Sequence, residues 1–329
     1  MQIIHENEYE ETMKNIVTPY LLSHRRELYV PGADYPFRNE SKRITGKIHM
    51  LQYLSDIDMP KGVVVISHGF TESAVKYDEV AYYFLKEGYH VYIPEHCGHG
   101  RSYRLTADPS LVHIDTWRRY IRDFLKACRY IKKAHPDLSL NLYAHSMGGA
   151  IGTLFLEKYP EVFERAVLSS PMLQVNFGKN PTWLVKVLMV LSKILRWDLK
   201  YVPGQKGFDH VYVFATSSST SEPRYAYIFN QREQVPQYTS YGGTYAWTRA
   251  SIKATKQIAR DAGKVQIPVL LCQAGRDTMV RAEGQEYFAK NSGNTRIVRF
   301  PDSKHELFTA TYDIMLPYYE EVFDFYAEK

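Results

Sequence analysis

The sequence is poor in cysteine. Its three cysteines, Cys97, Cys128 and Cys272, lie far apart along a chain of 329 residues. An odd, widely spaced set does not form the disulfide framework that is typical of small secreted proteins. The first residues also lack a basic segment followed by an apolar run, so we expect no signal peptide. Together these absences predict a cytoplasmic location.

Long hydrophobic runs are also missing. The longest apolar stretch, residues 183–197, is interrupted by Lys186, Lys193 and Arg196, which makes it too short and too charged to span a bilayer. The net charge of +5 is modest, and the sequence has no zinc-ligand spacing, aromatic-basic RNA-binding motif or helix-turn-helix pattern. We therefore expect neither a nucleic-acid partner nor a cofactor.

Short apolar runs alternate with segments of helical spacing along most of the chain. Val63 to Ile66, for example, is a β-branched run typical of a strand that is covered on both faces. This alternation predicts an α/β fold with a mostly parallel central sheet flanked by helices. The predicted strands are 46–54, 63–66, 89–93, 140–145, 166–170, 267–273 and 295–300, and the predicted helices are 77–87, 116–134, one after residue 146, 281–290 and 312–327.

The regular alternation is lost between residues 172 and 245, which contain an apolar helical run and several turn clusters. A chain of this length buries enough surface for one large core with an inserted piece. We therefore predict an α/β core made of residues 1–171 and 246–329, and a cap, or lid, inserted at residues 172–245.

One stretch, Leu140 to Phe155, reads L-N-L-Y-A-H-S-M-G-G-A-I-G-T-L-F. A short apolar run turns sharply around Ser146 and continues as a helix of small residues, which is the pattern of a nucleophile elbow. The usual motif is G-x-S-x-G, and Ala144 replaces its first glycine here. Since alanine is also small, the turn can still form, and Ser146 is the candidate nucleophile.

A serine nucleophile needs a base and an acid, which follow it in the order Ser, Asp or Glu, His in this kind of fold. The only histidine after His210 is His305, in a predicted loop between a strand and the last helix. For the acid, Asp277 directly follows a buried strand, while Asp302 is close to His305 only in sequence. We predict Asp277, because it lies where the carboxyl ends of parallel strands meet.

Two backbone amides are expected to form the oxyanion hole. One belongs to Met147, directly after the nucleophile, and the other to Phe70, in the loop after an early strand. The nearby segment Glu95-His96-Cys97-Gly98-His99 has the residue types of a metal site. It lacks a second ligand pair at a recognisable spacing, so we expect no metal there.

Several motifs occur in an order and spacing that resemble the α/β-hydrolase superfamily, and within it the bacterial lysophospholipase and monoacylglycerol lipase branch, which is serine aminopeptidase-like. They are H-G-F-T-E-S at 68–73, G-H-G-R-S at 98–102, A-H-S-M-G-G-A at 144–150, G-R-D at 275–277 and K-H-E at 304–306. The resemblance implies a catalytic triad, an oxyanion hole and a cap after the sixth strand, with the triad at Ser146, Asp277 and His305 and the oxyanion amides at Phe70 and Met147. The chain departs from the pattern at Ala144 and at 95–97, where relatives often have Asp-x-Arg.

The predicted cap contains the segment 182–197, with eleven apolar and three basic residues. Lysines recur every seven residues and would follow one side of a helix if it extends that far, at Lys179, Lys186, Lys193 and Lys200. The helix either packs on the core with its lysines in water or lines an acyl tunnel. The second interpretation makes Trp183, Val187, Leu188 and Leu191 candidate substrate-binding residues.

We predict a serine hydrolase that cleaves carboxylic esters of single-chain lipids, such as lysophospholipids or monoacylglycerols, with transient contact between the cap and a membrane surface. The alternatives are a general carboxylesterase or aminopeptidase of the same fold, or a hydrolase fold that binds without catalysis. A peptidase cap needs carboxylates to hold a free amine, and the apolar cap segment has none before Asp198. The sequence predicts no oligomeric state.

Overall fold

A computed structural model describes residues 2–36, 43, 44 and 46–328. Eight strands form one central sheet, and in chain order they are β1 Arg25–Pro31, β2 Lys47–Tyr53, β3 Gly62–Ser67, β4 Tyr89–Pro94, β5 Leu140–His145, β6 Arg165–Ser169, β7 Val269–Ala274 and β8 Thr295–Phe300. Their order across the sheet is β1-β2-β4-β3-β5-β6-β7-β8. The first strand pairs antiparallel with the second, and the second antiparallel with the fourth; the other neighbours are parallel.

Helices cover both faces of this sheet, which confirms the predicted fold class. They are α1 Tyr9–Thr12, α2 Thr18–His24, α3 Asp78–Lys86, α4 Trp117–Ala134, α5 Met147–Lys158, α6 Thr182–Ile194, α7 Glu222–Gln234, α8 Tyr245–Asp261, α9 Ala282–Asn291 and α10 Tyr312–Ala327. A π-helical turn, Met13–Val17, joins the first two, and two-residue strands pair Leu111–Val112 with Gly242–Gly243 and Tyr35–Pro36 with Arg43–Ile44. No helix in the described part of the chain is both long and apolar enough to cross a membrane.

The core lies on the two faces of the sheet. Every residue of β3 and β5 is buried, as expected for parallel strands between two helical layers. The predicted start of α4 agrees with the structure, where a capping residue marks it. Thr116 accepts a hydrogen bond from the Arg118 amide at 3.3 Å and so starts the helix.

The strand β1 is absent from the sequence-based prediction, whose first strand begins at residue 46. This strand lies at the edge of the sheet and pairs only with β2. Most of its side chains are exposed or half-buried, and it begins with Arg25, Arg26 and Glu27. Charged edge strands protect a sheet from pairing with other chains, but they lack the apolar pattern by which a strand is recognised.

The segment between β6 and β7 carries α6, α7 and α8. Because α6 spans Thr182–Ile194, only Lys186 and Lys193 lie on it, and the helix does not extend far enough to carry a stripe of all four lysines. The chain turns after α6, where Arg196 has a positive φ of 56°. The division into a core and a cap at residues 172–245 stays a prediction.

Candidate active site

The nucleophile elbow forms between β5 and α5. Ser146 has φ 53° and ψ −117°, a conformation that costs energy for a residue with a side chain. A Cβ atom on Gly148 would lie 2.0 Å from the carbonyl oxygen of Ser67, so only glycine lets the helix pass this close to β3. Ala144 is fully buried and has no positive φ, which explains why the turn forms without the usual first glycine.

Three side chains that are distant in sequence meet at this elbow. The Oγ of Ser146 lies 2.8 Å from Nε2 of His305, and Nδ1 of the same ring lies 2.7 Å from Oδ2 of Asp277. All three residues come from loops beyond the carboxyl ends of β5, β7 and β8. The structure thus brings the predicted nucleophile, base and acid into one hydrogen-bonded line, which is the geometry of an activated serine.

The carboxylate of Asp277 is held by more than the histidine. Its Oδ1 accepts hydrogen bonds from the amides of Met279 at 2.7 Å and Val280 at 3.1 Å. Burial raises the pKa of Asp277, but the hydrogen bond and charge of His305 and these two amides outweigh burial, so the pKa lies below its ordinary value. The group is therefore ionised and accepts the Nδ1–H of His305, which leaves Nε2 free to accept a proton from Ser146.

The rival acid, Asp302, lies on an exposed turn after β8, and the Nδ1–H of His305 donates its hydrogen bond to Asp277 instead. The position of Asp302 three residues before His305 does not direct its carboxylate toward the ring. The loop at the end of β7 does direct the carboxylate of Asp277 toward it.

The two amides expected to form the oxyanion hole belong to the start of α5 and to the loop after β3. Met147 is the first residue of α5, so its N–H has no partner within the helix. Phe70 follows β3, and its ring packs on that of Trp247 with centroids 4.3 Å apart. A Cβ on the preceding Gly69 would lie 2.8 Å from Oε2 of Glu72, so the absence of a side chain at Gly69 allows Glu72 to approach the backbone of this loop closely.

An ionic cluster next to this loop was not predicted from the sequence. Glu72 accepts hydrogen bonds from the Gly69 amide, from the Tyr77 hydroxyl at 2.6 Å and from Lys76 at 2.7 Å. Lys76 also contacts Glu306 at 2.7 Å. The spacing of Glu72 and Lys76 is that of a helical ion pair, which was the only signal in the sequence.

The residues of the rejected metal site have other partners. Glu95 binds Nδ1 of His49 at 2.8 Å, and Nε2 of His96 lies 3.0 Å from the Ser67 hydroxyl. His99 contacts the carbonyl of Cys97 through Nδ1 at 3.2 Å. These contacts brace the glycine-rich loop after β4. Among the described residues, no group of three or more His, Cys, Asp or Glu side chains is arranged to hold a metal ion.

The four cap residues predicted to bind substrate all lie on α6. Trp183, Val187 and Leu191 are exposed, and Leu188 is half-buried. The inner side of the helix is formed instead by Met189 and Ser192, which are buried. The outward direction of three of these side chains makes the apolar face of α6 part of the molecular surface, and their role in substrate binding stays a prediction.

Comparison with known proteins assigns the chain to a family. The sequence model of the serine aminopeptidase S33 family, Hydrolase_4, matches residues 58–311, which include the elbow, Asp277 and His305. The chain belongs to this family. The resemblance to the lysophospholipase and monoacylglycerol lipase branch is also confirmed by curated relatives.

Two of these relatives are from bacteria. Lysophospholipase L2 of Escherichia coli (strain K12) is 34% identical over 225 residues, which are 66% of this chain and 64% of the relative. Monoacylglycerol lipase of Mycolicibacterium smegmatis is 27% identical over 251 residues, 76% of this chain and 82% of the relative. The match thus spans slightly less than two thirds of the length of the Escherichia coli relative.

A solved structure agrees in fold. The crystal structure of a highly thermostable carboxyl esterase from Bacillus coagulans, in complex with glycerol, has a TM-score of 0.69 and 17% sequence identity. The similarity covers 92% of this chain and 97% of that one. At this identity the likeness supports the α/β-hydrolase fold alone.

Proposed function

We propose that the protein is a serine hydrolase that cleaves the carboxylic ester of a single-chain lipid, either a lysophospholipid or a monoacylglycerol. The observation that carries this proposal is the hydrogen-bonded line from Ser146 through His305 to Asp277, with distances of 2.8 Å and 2.7 Å. The names of the bacterial relatives, a lysophospholipase and a monoacylglycerol lipase, support the substrate class.

In the first half of the reaction, Oγ of Ser146 attacks the ester carbonyl carbon and gives its proton to Nε2 of His305. The ionised Asp277 holds the ring orientation and stabilises the imidazolium that forms. The carbonyl oxygen becomes an oxyanion, which the amides of Phe70 and Met147 stabilise. Each such donor contributes about 3–4 kcal/mol to the transition state. The bond to the glycerol-containing alcohol then breaks, and His305 returns its proton to that leaving oxygen.

In the second half, water gives a proton to the same Nε2 of His305 and attacks the acyl carbon. The bond between this carbon and Oγ of Ser146 breaks, Oγ takes the proton back, and the fatty acid is released. No other reactant is needed, because the histidine returns each proton within the cycle.

We infer that residues 172–245 act as the cap of this site and that α6 makes transient contact with a membrane surface. Its exposed apolar side chains, Trp183, Val187 and Leu191, would enter the outer part of a bilayer in the manner of interfacial helices. Together with Leu188, they are proposed to receive the acyl chain as it leaves the lipid phase. A cytoplasmic location remains part of this proposal.

The test is a hydrolysis panel of lysophospholipids, monoacylglycerols, short p-nitrophenyl esters and aminoacyl amides, with wild-type protein and the Ser146→Ala variant. We expect the single-chain lipids to be cleaved fastest, and the variant to lose roughly 10⁴-fold or more in kcat. Labelling by a fluorophosphonate probe should occur in wild type and disappear in the variant.

The panel also separates the alternatives. Full activity of Ser146→Ala would overturn the assigned nucleophile, and preference for aminoacyl amides would replace the lipase proposal with a peptidase. If wild-type protein bound lipid but cleaved no substrate and took up no probe, the fold would be a binding module.

A further inference from the structure

A large groove lies between α4, α5, α6 and α8, away from the elbow. It has a volume of about 1230 Å³. The residues Ser146, Asp277 and His305 are not among those that line it. The groove is therefore a feature separate from the proposed catalytic site, and its chemistry needs its own explanation.

The walls of this groove carry an excess of positive charge. Four exposed cations line it, and none of them forms an ion pair with any carboxylate in the described ranges: Arg118, Lys158, Lys193 and Lys253. The carboxylates in the walls are already engaged, since Asp115 pairs with Arg119 at 2.6 Å and Asp198 pairs with Arg249. The uncompensated charge creates a positive potential that attracts anions.

The rim of the groove is apolar and exposed. Val190 and Ile194 line it from α6, and they are 60% and 69% exposed. On the same helix, Trp183 is 66% exposed. The transfer of such exposed apolar side chains from water into the acyl region of a bilayer is favourable. The cations next to them would then lie at the level of the lipid headgroups.

This combination distinguishes a bilayer from a dissolved anion. A small soluble anion would contact the cations and leave Val190 and Ile194 in water. An anionic bilayer satisfies both parts of the surface together, because its headgroups meet the cations while its acyl region receives the apolar rim.

We propose that this cationic groove is a docking site for the headgroups of anionic phospholipids, and that the groove and the outer face of α6 together orient the protein on an anionic bilayer. The proposal extends the membrane contact that is part of the proposed function. It is tested by binding alone, so it does not depend on the hydrolytic activity.

The experiment measures vesicle binding of the full chain carrying Ser146→Ala, which prevents hydrolysis of the lipids. Vesicles of phosphatidylcholine alone are compared with vesicles that also contain phosphatidylglycerol. We expect binding to the anionic vesicles to be about tenfold or more stronger, and to weaken as salt is added. Adding the charge reversals Lys193→Glu and Lys253→Glu should remove this preference.

A matched control carries Lys133→Glu and Lys290→Glu, two exposed lysines outside the groove, and has the same net charge as the groove variant. It should keep the preference for anionic vesicles. Equal loss in both variants would overturn the proposal in favour of a general effect of net charge. The proposal would also be overturned if Lys193→Glu and Lys253→Glu weakened the binding of inorganic phosphate but did not change the binding of vesicles.

The two proposals fail separately. Preference for anionic vesicles in a protein whose wild type hydrolyses no ester would leave the docking site standing and overturn the proposed function. Ester hydrolysis by a protein that binds both vesicle types equally would support the proposed function and overturn the docking site.

Discussion

Lys76 and Glu306 form an ion pair with Nζ and Oε1 2.7 Å apart, although 230 residues separate them in the sequence. Glu306 directly follows His305, and Lys76 also pairs with Glu72, which accepts a hydrogen bond from the Gly69 amide. One lysine therefore connects the loop that leads to Phe70 with the loop that carries His305. The cluster supports both halves of the proposed site from below.

Replacing this lysine should destabilise the protein strongly. Burial lowers the pKa of Lys76, but Glu306 and Glu72 raise it by more than burial lowers it, so the pKa lies above its ordinary value. The group is therefore charged in the folded state. Lys76→Met leaves the buried carboxylate of Glu72 and the half-buried carboxylate of Glu306 without their cation, and we expect a loss of about 3–5 kcal/mol in the free energy of unfolding. Urea unfolding measures this loss. The control Lys61→Met removes an exposed pair with Glu87 at 3.6 Å and should cost less than about 1 kcal/mol. Similar losses in the two variants would contradict the role of the buried cluster.

The choice of acid is tested by two asparagine variants. Asp277→Asn keeps the shape of the side chain but cannot hold His305 in the required tautomer, and kcat should fall by roughly 10⁴-fold. Asp302→Asn changes an exposed turn residue and should leave kcat within a factor of about two. The measurement is ester hydrolysis by both variants under the same conditions. A collapse of activity in Asp302→Asn equal to that in Asp277→Asn would show that the acid is misassigned.

The elbow should tolerate no side chain at Gly148. An added Cβ would lie 2.0 Å from the Ser67 carbonyl oxygen, and backbone cannot yield as a flexible side chain does. We expect Gly148→Ala to cost at least about 3 kcal/mol in the free energy of unfolding and to displace Ser146. Gly263→Ala is the control, because its nearest contact, the Asn291 carbonyl oxygen at 3.4 Å, is ordinary. Urea unfolding and probe labelling of both variants measure the two effects, and wild-type behaviour of Gly148→Ala would contradict this view of the elbow.

The proposed triad could be predicted from the sequence because the fold constrains it. Once strands and helices alternate, the carboxyl ends of parallel strands meet at one edge, and the chain offers a single histidine after His210. Ser146, Asp277 and His305 then follow from order and position. The helix α10 was predicted with its observed bounds, since its apolar periodicity continues to the end.

Other features depend on contacts that a linear pattern does not contain. The bridge from Lys76 to Glu306 joins two loops that are adjacent only in the folded chain. The edge strand β1 has a mostly exposed surface, so its pairing with β2 decides its conformation more than its own sequence does. The end of α6 at Ile194 is likewise not marked in the lysine spacing, which continues past the turn at Arg196 to Lys200.

Stability should fall in mild acid, and His145 is one defined cause. The ring is fully buried, with Nδ1 3.1 Å from the Ser169 carbonyl oxygen. Burial lowers its pKa to about 4; Glu72 and Glu306 act in the opposite direction, while His305 and Lys76 lower it further. In the unfolded chain the pKa of a histidine is about 6.5, so below this pH the unfolded state binds more protons than the folded state.

The stability that neutral His145 provides is therefore complete above pH 6.5 and is lost as the pH falls toward 4. A difference of about 2.5 pKa units corresponds to about 3 kcal/mol. His145→Asn keeps a donor for the Ser169 carbonyl but does not titrate. For each protein, the fall in the free energy of unfolding between pH 7 and pH 4 is measured from its own value at pH 7. This fall should be about 3 kcal/mol smaller in the His145→Asn variant than in wild type. Urea unfolding across this range gives both curves, and parallel curves would mean that His145 is not a source of the acid sensitivity.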